Sequence, residues 1–316
     1  MSGKIAVIGC GAIGRPWAIV FARAGYDTSL YGRDAGRLDA ALGLIGRELD
    51  SLDELDLLDG ASPGAVLGRI QGFTDLAGAV DGAVHVQENL PEDVAVKRDI
   101  MARLDDLAGA GVPVASSTSG LPPSEFTDHV AGRARCLVAH PVNPPHLVPA
   151  VEVVPAPWTD PDVVERTRAL LSDVGQTPIL VKRETPGFVL NRLQGALVNE
   201  AFRLVEDGYA SPRDVDAAVA HGLGLRWSLM GPFETLDMNH AGGIGAFAAG
   251  FAPLFQRIAE LQADARGWSE AAVAEVVAAR RTAVAEDEIP ARQAWRDRRL
   301  AALASDKRKR DHDIGP

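Results

Sequence analysis

A histidine and a glutamate in one apolar segment have the residue types and surroundings that proton transfer requires. In the run CLVAHPVNPPHLVPAVEVV, His140 ends one apolar stretch and Glu152 lies among valines twelve residues later. A carboxylate is costly to bury in such surroundings unless a partner stabilises it. A histidine oriented by that carboxylate could act as a general base near neutral pH. From these two residues alone, a core histidine beside an edge-strand glutamate is the alternative.

The start of the chain has the pattern of a dinucleotide-binding turn. The run KIAVIG at residues 4–9 is short, apolar and rich in β-branched residues, which predicts a buried parallel strand. It continues as GCGAIG at residues 9–14, and helical spacing follows. Such glycines allow a tight turn and close backbone approach, and the helix N-terminus offers free N–H groups to a pyrophosphate. The predicted cofactor contacts are Gly9, Gly11, Ala12, Ile13 and Gly14. A glycine-rich turn without a ligand is the alternative.

The end of the second predicted strand, 27–31, leaves the form of the cofactor open. In NAD enzymes an acidic residue at this point binds the adenosine ribose. Here the position is Gly32, and Arg33 and Asp34 follow. Without the carboxylate a 2′-phosphate is not repelled, and Arg33 could pair with one. Alternatively, Asp34 reaches the ribose and Arg33 covers the adenine. We therefore expect NAD and keep NADP as the alternative.

The order of the elements predicts two domains. Strands are predicted at 4–9, 27–31, 70–73, 83–87, 113–117, 136–139, 149–154 and 177–182, and helices between them at 14–24, 34–58, 92–108 and 161–174. This alternation indicates an α/β fold with a doubly wound, Rossmann-type sheet. Further helices are predicted at 188–207, 212–221, 232–249, 252–264, 269–285 and 290–304. We expect a dinucleotide-binding Rossmann domain over 1–185 and an all-α substrate and dimerisation domain over 186–316.

Composition restricts the partners and the compartment. The 316 residues include 32 Lys and Arg against 43 Asp and Glu, and this net charge of −11 argues against nucleic acid or an anionic membrane. The basic run at 307–310 is interpreted as a solvated tail. No apolar signal or membrane-length run is evident, so a cytoplasmic protein is expected. Two cysteines fit a reducing compartment, and no metal is expected. Apolar helices such as 188–205 favour a homodimer.

Four motifs carry a family resemblance, and along the chain they are SSTSGL, HPVNPP, PGFVLNRL and GPFE. With them the chain resembles the 3-hydroxyacyl-CoA dehydrogenase superfamily over nearly its whole length. It looks closest to the lambda-crystallin and L-gulonate 3-dehydrogenase branch, and it is also similar to L-carnitine dehydrogenase at SSTSGLPPSEF and GLRWS. The resemblance implies an oxidoreductase that acts on CH–OH groups with a nicotinamide cofactor.

The resemblance also implies roles for particular residues. His140 matches the family's catalytic histidine, and Glu152 matches the glutamate that orients it. Ser119, in ASSTSG, matches the serine that hydrogen-bonds the reacting oxygen, and Asn191, in FVLNRL, matches an asparagine of the same site. Neutral hydrogen-bonding groups of this kind can hold an oxygen while its charge changes.

Three further positions follow from the same resemblance. Glu88 looks like the residue near the nicotinamide ribose, and Lys97 looks like a cofactor contact. Arg226, in GLGLRWSLMGP, lies where the gulonate-like and carnitine-like enzymes carry GxR. A guanidinium can bind a carboxylate through two parallel hydrogen bonds, so Arg226 is predicted to hold a free acid.

The expected reaction is hydride transfer between NAD(P) and the 3-hydroxyl of a small, L-gulonate-like free acid. Three alternatives remain: a short-chain 3-hydroxyacyl-CoA dehydrogenase, an L-carnitine dehydrogenase-like enzyme, and a catalytically silent crystallin-like structural protein.

Overall fold

The computed structural model describes residues 3–314. Its strands are β1 (Lys4–Ile8), β2 (Asp27–Tyr31), β3 (Ile70–Phe73), β4 (Ala83–Glu88), β5 (Val114–Ser116), β6 (Cys136–Pro141), β7 (Ala150–Pro155) and β8 (Thr177–Leu180). Its α-helices are α1 (Gly14–Arg23), α2 (Ala35–Asp53), α3 (Pro63–Leu67), α4 (Leu76–Val80), α5 (Val94–Leu107), α6 (Pro123–Thr127), α7 (Pro161–Asp173), α8 (Leu190–Glu206), α9 (Pro212–Ala218), α10 (Gly224–Trp227), α11 (Pro232–Met238), α12 (Gly243–Leu261), α13 (Glu270–Ala283) and α14 (Ile289–Ile314). A 3₁₀ turn covers Arg133–Arg135 and a π-helical turn covers Val219–Leu223.

The described strands form one twisted layer in the order β3-β2-β1-β4-β5-β6-β7-β8. Neighbouring strands are parallel, except for the antiparallel pair of β6 and β7. Side chains of a strand alternate between its two faces. Accordingly, Ile5 and Val7 pack in the core with α1, α2 and α7, whereas Ala6 and Ile8 pack in the core with α4 and α5. The predicted Rossmann-type α/β fold with a helical C-terminal region is confirmed.

The chain divides into two compact units, each with its own contacts. The first contains the described residues up to Arg192 and also those from Gln293 onward, and the second is Leu193–Arg292. The sequence-based division kept everything after residue 185 in one helical domain. The difference arises mainly from α14, where Ala301 joins the core of the first unit and the Ser305 hydroxyl donates to the carbonyl of Leu55 at 2.8 Å.

Within the second unit, aromatic and charged contacts hold helices together. The Phe202 and Trp268 rings stack with centroids 4.4 Å apart, and Trp268 Nε1 donates to Asn199 Oδ1 at 3.0 Å. Arg266 donates two hydrogen bonds to the carboxylate of Asp207, at 2.9 and 2.6 Å. These hydrogen bonds favour the charged forms, so they hold the pKa of Asp207 below its usual value.

Several predicted helix boundaries are wrong, including the end of the predicted helix 290–304, which continues to Ile314 as α14. A break was predicted at 250–251, but α12 runs through this stretch and the break falls earlier, at Gly242 and Gly243, whose φ angles are 95° and 70°. Both angles lie in the left-handed region that glycine adopts without strain, so the chain turns there. The predicted helix 34–58 ends at Asp53, because Asp56 and Asp59 adopt positive φ angles. Within residues 3–314, no helix has the length and apolar character needed to cross a membrane.

Candidate active site

The space available for a side chain differs among the three glycines of the turn after β1. A Cβ at Gly14 would lie 1.7 Å from the carbonyl oxygen of Gly9, and a Cβ at Gly9 would lie 2.9 Å from that of Asn89. At Gly11, by contrast, a Cβ would meet nothing within 4 Å. Gly9 and Gly14 therefore keep the turn closed, whereas Gly11 leaves open space beside the backbone. A pyrophosphate needs such an open, side-chain-free approach to the turn.

This turn borders a cavity of about 1010 Å³ at the carboxyl ends of β1, β2 and β4. The predicted cofactor residues Gly9, Gly11, Ala12, Ile13, Arg33 and Asp34 all line it. In open α/β sheets, ligands bind outside the carboxyl ends of the strands at the point where the strand order reverses. The open approach at Gly11 and the size of the cavity fit a dinucleotide, and these residues would hold its adenosine and pyrophosphate parts.

Glu88 and Lys97 do not line the cavity. Both side chains are buried, and Lys97 Nζ lies 2.9 Å from each carboxylate oxygen of Glu88. The pair also holds Leu90: Glu88 Oε1 accepts from its N–H at 2.5 Å, and Lys97 Nζ donates to its carbonyl at 2.9 Å. Since Leu90 lines the cavity, this buried ion pair fixes the cavity wall. The predicted direct cofactor contacts of Glu88 and Lys97 stay predictions.

His140 and Glu152 meet across the antiparallel pair β6–β7, in which they are directly opposed. His140 Nδ1 lies 2.8 Å from Glu152 Oε2, and both residues are buried. Because an ionised carboxylate only accepts hydrogen bonds, Nδ1 carries the proton and Nε2 keeps its lone pair. Nε2 makes no hydrogen bond within the described part of the chain. This tautomer leaves His140 able to accept a proton from a ligand.

The second oxygen of Glu152 is held by the beginning of α8. Glu152 Oε1 accepts hydrogen bonds from the backbone N–H groups of Val189, at 2.7 Å, and Leu190, at 2.9 Å. Free N–H groups at a helix N-terminus stabilise a negative charge. Phe188, immediately before them, is fully buried with φ at 51°, an unusual conformation for an aromatic residue. The local backbone therefore provides the charge partners that a buried glutamate requires.

Asn191 joins Ser119 to the same helix terminus. Its Nδ2 donates to the backbone carbonyl of Ser119 at 2.5 Å, and it directly follows Leu190. The start of α8 thus contacts Glu152 through its backbone and the Ser119 loop through a side chain. Between the His140–Glu152 and Ser119–Asn191 pairs, no direct hydrogen bond forms in the described structure.

Glu92 is a site residue that the sequence reasoning missed. Its Oε1 accepts hydrogen bonds from the Thr118 hydroxyl at 2.6 Å and from Ser119, through N–H at 2.9 Å and Oγ at 3.2 Å. The N–H of Gly120 also points to this oxygen, at 3.2 Å. One carboxylate oxygen therefore organises the Ser119 loop. Its position in PEDVAVK, next to the α5 cap Asp93, gave no sign of this contact.

A buried hydrogen-bond chain connects the strand of His140 with the cofactor cavity. Gln87 Nε2 donates to the carbonyl of Ala139 at 3.1 Å and to Ser117 Oγ at 2.7 Å, and Ser117 Oγ donates to Asn89 Oδ1 at 2.7 Å. Asn89 lines the cavity. His140 and the cavity therefore belong to one carboxyl-terminal edge of the sheet.

Arg226 belongs to the second unit, on the short helix α10. Its side chain is exposed and makes no hydrogen bond or ion pair with the residues that the structure describes. Its predicted role as carboxylate anchor stays a prediction. Among residues 3–314, no group of three or more His, Cys, Asp or Glu side chains has an arrangement suited to a metal ion.

A glycine turn open to a dinucleotide and a histidine oriented by a buried glutamate are features of oxidoreductases that move a hydride and a proton. Comparison with known proteins agrees. The family model described as "3-hydroxyacyl-CoA dehydrogenase, NAD binding domain" matches residues 4–185, and the C-terminal domain of the same family matches residues 187–279. The chain belongs to the 3-hydroxyacyl-CoA dehydrogenase family, and within it to the lambda-crystallin branch, as predicted.

Individual relatives support this assignment. Lambda-crystallin of Oryctolagus cuniculus is 40% identical over 98% of this chain and 97% of its own length. L-carnitine dehydrogenase of Streptomyces griseus is 39% identical over 78% of this chain and 71% of its own length. A crystal structure of 5-formyl-3-hydroxy-2-methylpyridine 4-carboxylic acid 5-dehydrogenase, an NAD⁺-dependent dismutase, is 31% identical, with a TM-score of 0.81 over 96% of this chain and 97% of that one. The chain is a dehydrogenase of this nicotinamide-dependent family and acts on CH–OH groups.

Proposed function

We propose that this enzyme oxidises the 3-hydroxyl of a small free 3-hydroxy acid, of the L-gulonate type, and catalyses the reverse reduction. The observation that carries the proposal is the contact of His140 Nδ1 with Glu152 Oε2 at 2.8 Å, which leaves Nε2 free for the substrate hydroxyl. A nicotinamide cofactor, when it is bound, would accept the hydride in the oxidation. His140 takes the alcohol proton as the hydride leaves, and it returns that proton in reduction.

The other residues of the site stabilise the charge on His140 and hold the reacting oxygen in position. Glu152 stabilises the imidazolium that His140 forms, and the N–H groups of Val189 and Leu190 fix the position of its carboxylate. Ser119 and Asn191 hold the reacting oxygen as its charge changes. Because the two are joined through the carbonyl of Ser119, movement of one displaces the other.

Two observations support a free acid as the substrate. The name of the similar pyridine 4-carboxylate dehydrogenase specifies a carboxylate substrate, and L-carnitine dehydrogenase also acts on a free 3-hydroxy acid. Arg226 offers an exposed guanidinium without a partner in the described chain, which suits bidentate binding of a carboxylate. We propose that Arg226 anchors the carboxylate. A thioester presents no such charge.

The test is an assay of turnover with a panel of free 3-hydroxy acids and their CoA esters. Nicotinamide absorbance measures the turnover with NAD and with NADP. Arg226→Met should raise KM for the free acid by an amount equivalent to about 2–5 kcal/mol. Arg213→Met, which removes an exposed arginine of α9, is the control and should leave KM unchanged. Turnover of CoA esters alone would establish the short-chain acyl-CoA alternative, and absence of turnover with every substrate would favour the crystallin-like one.

We also propose that the enzyme is a homodimer in the cytoplasm. Helix α12 has no buried residue, and Phe251, Leu254 and Phe255 are each at least 42% exposed on it. An apolar surface of this kind marks a protein interface. The free thiols of Cys10 and Cys136 suit a reducing compartment. Sedimentation should give twice the chain mass, and Leu254→Glu should give the monomer. A monomeric wild-type protein contradicts the dimer.

A further inference from the structure

The β2 end of the cofactor cavity has an excess of positive charge. Arg33, Arg37 and Arg103 line it, with Asp34 and Asp99 as the acidic side chains among the lining residues. Arg103 lies 3.7 Å from Asp99, so these two charges offset each other. Arg33 and Arg37 have no side-chain hydrogen bond or ion pair within residues 3–314. Two exposed guanidinium groups are therefore available to an anionic ligand here.

Asp34 is already engaged by the backbone. It is the N-cap of α2, and its Oδ1 accepts the N–H of Arg37 at 2.8 Å. A capping aspartate stabilises the start of its helix, so turning it toward a ribose has a cost. The alternative in which Asp34 replaces the missing ribose ligand therefore competes with the start of α2.

A side chain at position 32 would crowd the thiol of Cys10 in its present position. Gly32 is buried, and a Cβ built on it would lie 2.7 Å from Cys10 Sγ. Real Cβ atoms essentially never approach a heavy atom so closely, so an aspartate at 32 requires the Cys10 side chain to move. Cys10 belongs to the same glycine turn that borders the cavity. The thiol and the glycine therefore fit as a pair, and this pair removes the acidic group that would repel a 2′-phosphate.

We propose that Arg33 and Arg37 form a subsite for the 2′-phosphate of adenosine, and that the enzyme prefers NADP(H) to NAD(H). The inference rests on the proposed function, because it requires the cavity to hold a nicotinamide dinucleotide. This preference differs from the family model, which describes the domain as NAD-binding. Guanidinium groups suit a phosphate because they provide paired, charged donors in one plane.

Nucleotide fragments test the subsite without any turnover. Calorimetry should show that adenosine 2′,5′-bisphosphate binds roughly 10- to 100-fold more tightly than adenosine 5′-monophosphate, since charge-assisted hydrogen bonds are the strong ones. Arg33→Gln and Arg37→Gln should each reduce the ratio of the two affinities roughly 10-fold. Arg47→Gln, an exposed arginine of the same helix outside the cavity lining, is the control and should preserve the preference.

The outcomes separate the two proposals. Equal affinity for the two fragments overturns the phosphate subsite and leaves the cofactor cavity intact. If neither fragment binds, both the subsite and the proposed dehydrogenase function are wrong. Gly32→Asp in a Cys10→Ala background should shift the binding preference toward NADH, because the aspartate then has room. If the double variant keeps the wild-type preference for NADPH, the assigned role of the Cys10–Gly32 pair is wrong.

Discussion

His140 and Glu152 occupy opposed positions on an antiparallel strand pair, with 2.8 Å between Nδ1 and Oε2. Within the described sheet, β6 and β7 are the antiparallel neighbours, and their pairing sets His140 directly opposite Glu152. A shift of one residue in register would move one side chain to the opposite face of the sheet. The reversal of strand direction after HPVNPP is therefore what creates the general base.

Glu152→Gln should reduce kcat roughly 10²–10⁴-fold. The carboxylate accepts from His140 on one oxygen and from the N–H groups of Val189 and Leu190 on the other. An amide has a single acceptor oxygen, so one of these donor sets must face an NH₂ group. Steady-state kinetics of hydroxy-acid oxidation measure the effect. Glu165→Gln, the same change on the exposed face of α7, should leave kcat unchanged. An active Glu152→Gln enzyme contradicts the mechanism.

Two substitutions of Glu92 should show whether its hydrogen bonds or its charge position the Ser119 loop. Four donors of the Thr118–Gly120 loop converge on its Oε1. Glu92→Gln keeps an acceptor oxygen, so kcat/KM should fall only a few-fold. Glu92→Ala removes it and frees Ser119, and loss of position should reduce kcat/KM roughly 10- to 100-fold. Equal damage from both variants would show that the charge matters rather than the loop geometry.

The sequence predicted the residues that have local signatures. GCGAIG after a short apolar strand located the turn, and the valines around Glu152 marked a buried carboxylate in need of a partner. Family motifs supplied Ser119 and Asn191, which the structure joins directly. Each of these signals lies within a few residues of the feature that it predicts.

Contacts between distant segments were not predictable in this way. The family resemblance suggested cofactor contacts for Glu88 and Lys97, and only the packing of β4 against α5 shows that they form a buried ion pair. The basic run at 307–310, interpreted as a solvated tail, belongs to α14, and its exposed Arg308 lies 2.8 Å from Asp59. That aspartate is 249 residues away in sequence. No local pattern of charge indicates such a partner.

Substitution of the buried Ala301 should weaken the packing of α14 in the first unit. Ala301 is buried in the core of that unit, whereas Ala302 beside it is exposed. Ala301→Glu places an unpaired carboxylate in an apolar contact and should lower the free energy of unfolding by about 2–4 kcal/mol. Ala302→Glu makes the same change in solvent and should alter it by less than about 0.5 kcal/mol. Urea titration gives both values. Equal stability of the two variants would mean that α14 is not docked in solution.

Acid should weaken the fold through His85, which is buried beside Gln87. Burial lowers the pKa of His85 to about 4, against an ordinary value of 6.5, and the hydrogen bond to Gln87 opposes this only in part. Between these two pKa values the unfolded chain binds a proton that the folded chain does not, so stability falls as the pH falls. The contribution of this group from about pH 7 to about pH 5 is about 2 kcal/mol.

His85→Gln removes the titrating group, so its free energy of unfolding should fall by about 2 kcal/mol less than that of the wild type over the same pH interval. Urea titrations at the two pH values measure the difference, and they do not depend on the absolute stability of the variant. His129→Gln removes an exposed imidazole and should keep the wild-type dependence. If the wild type and His85→Gln lose the same stability, His85 is protonated in the folded protein, and the buried imidazole must then have a charge partner.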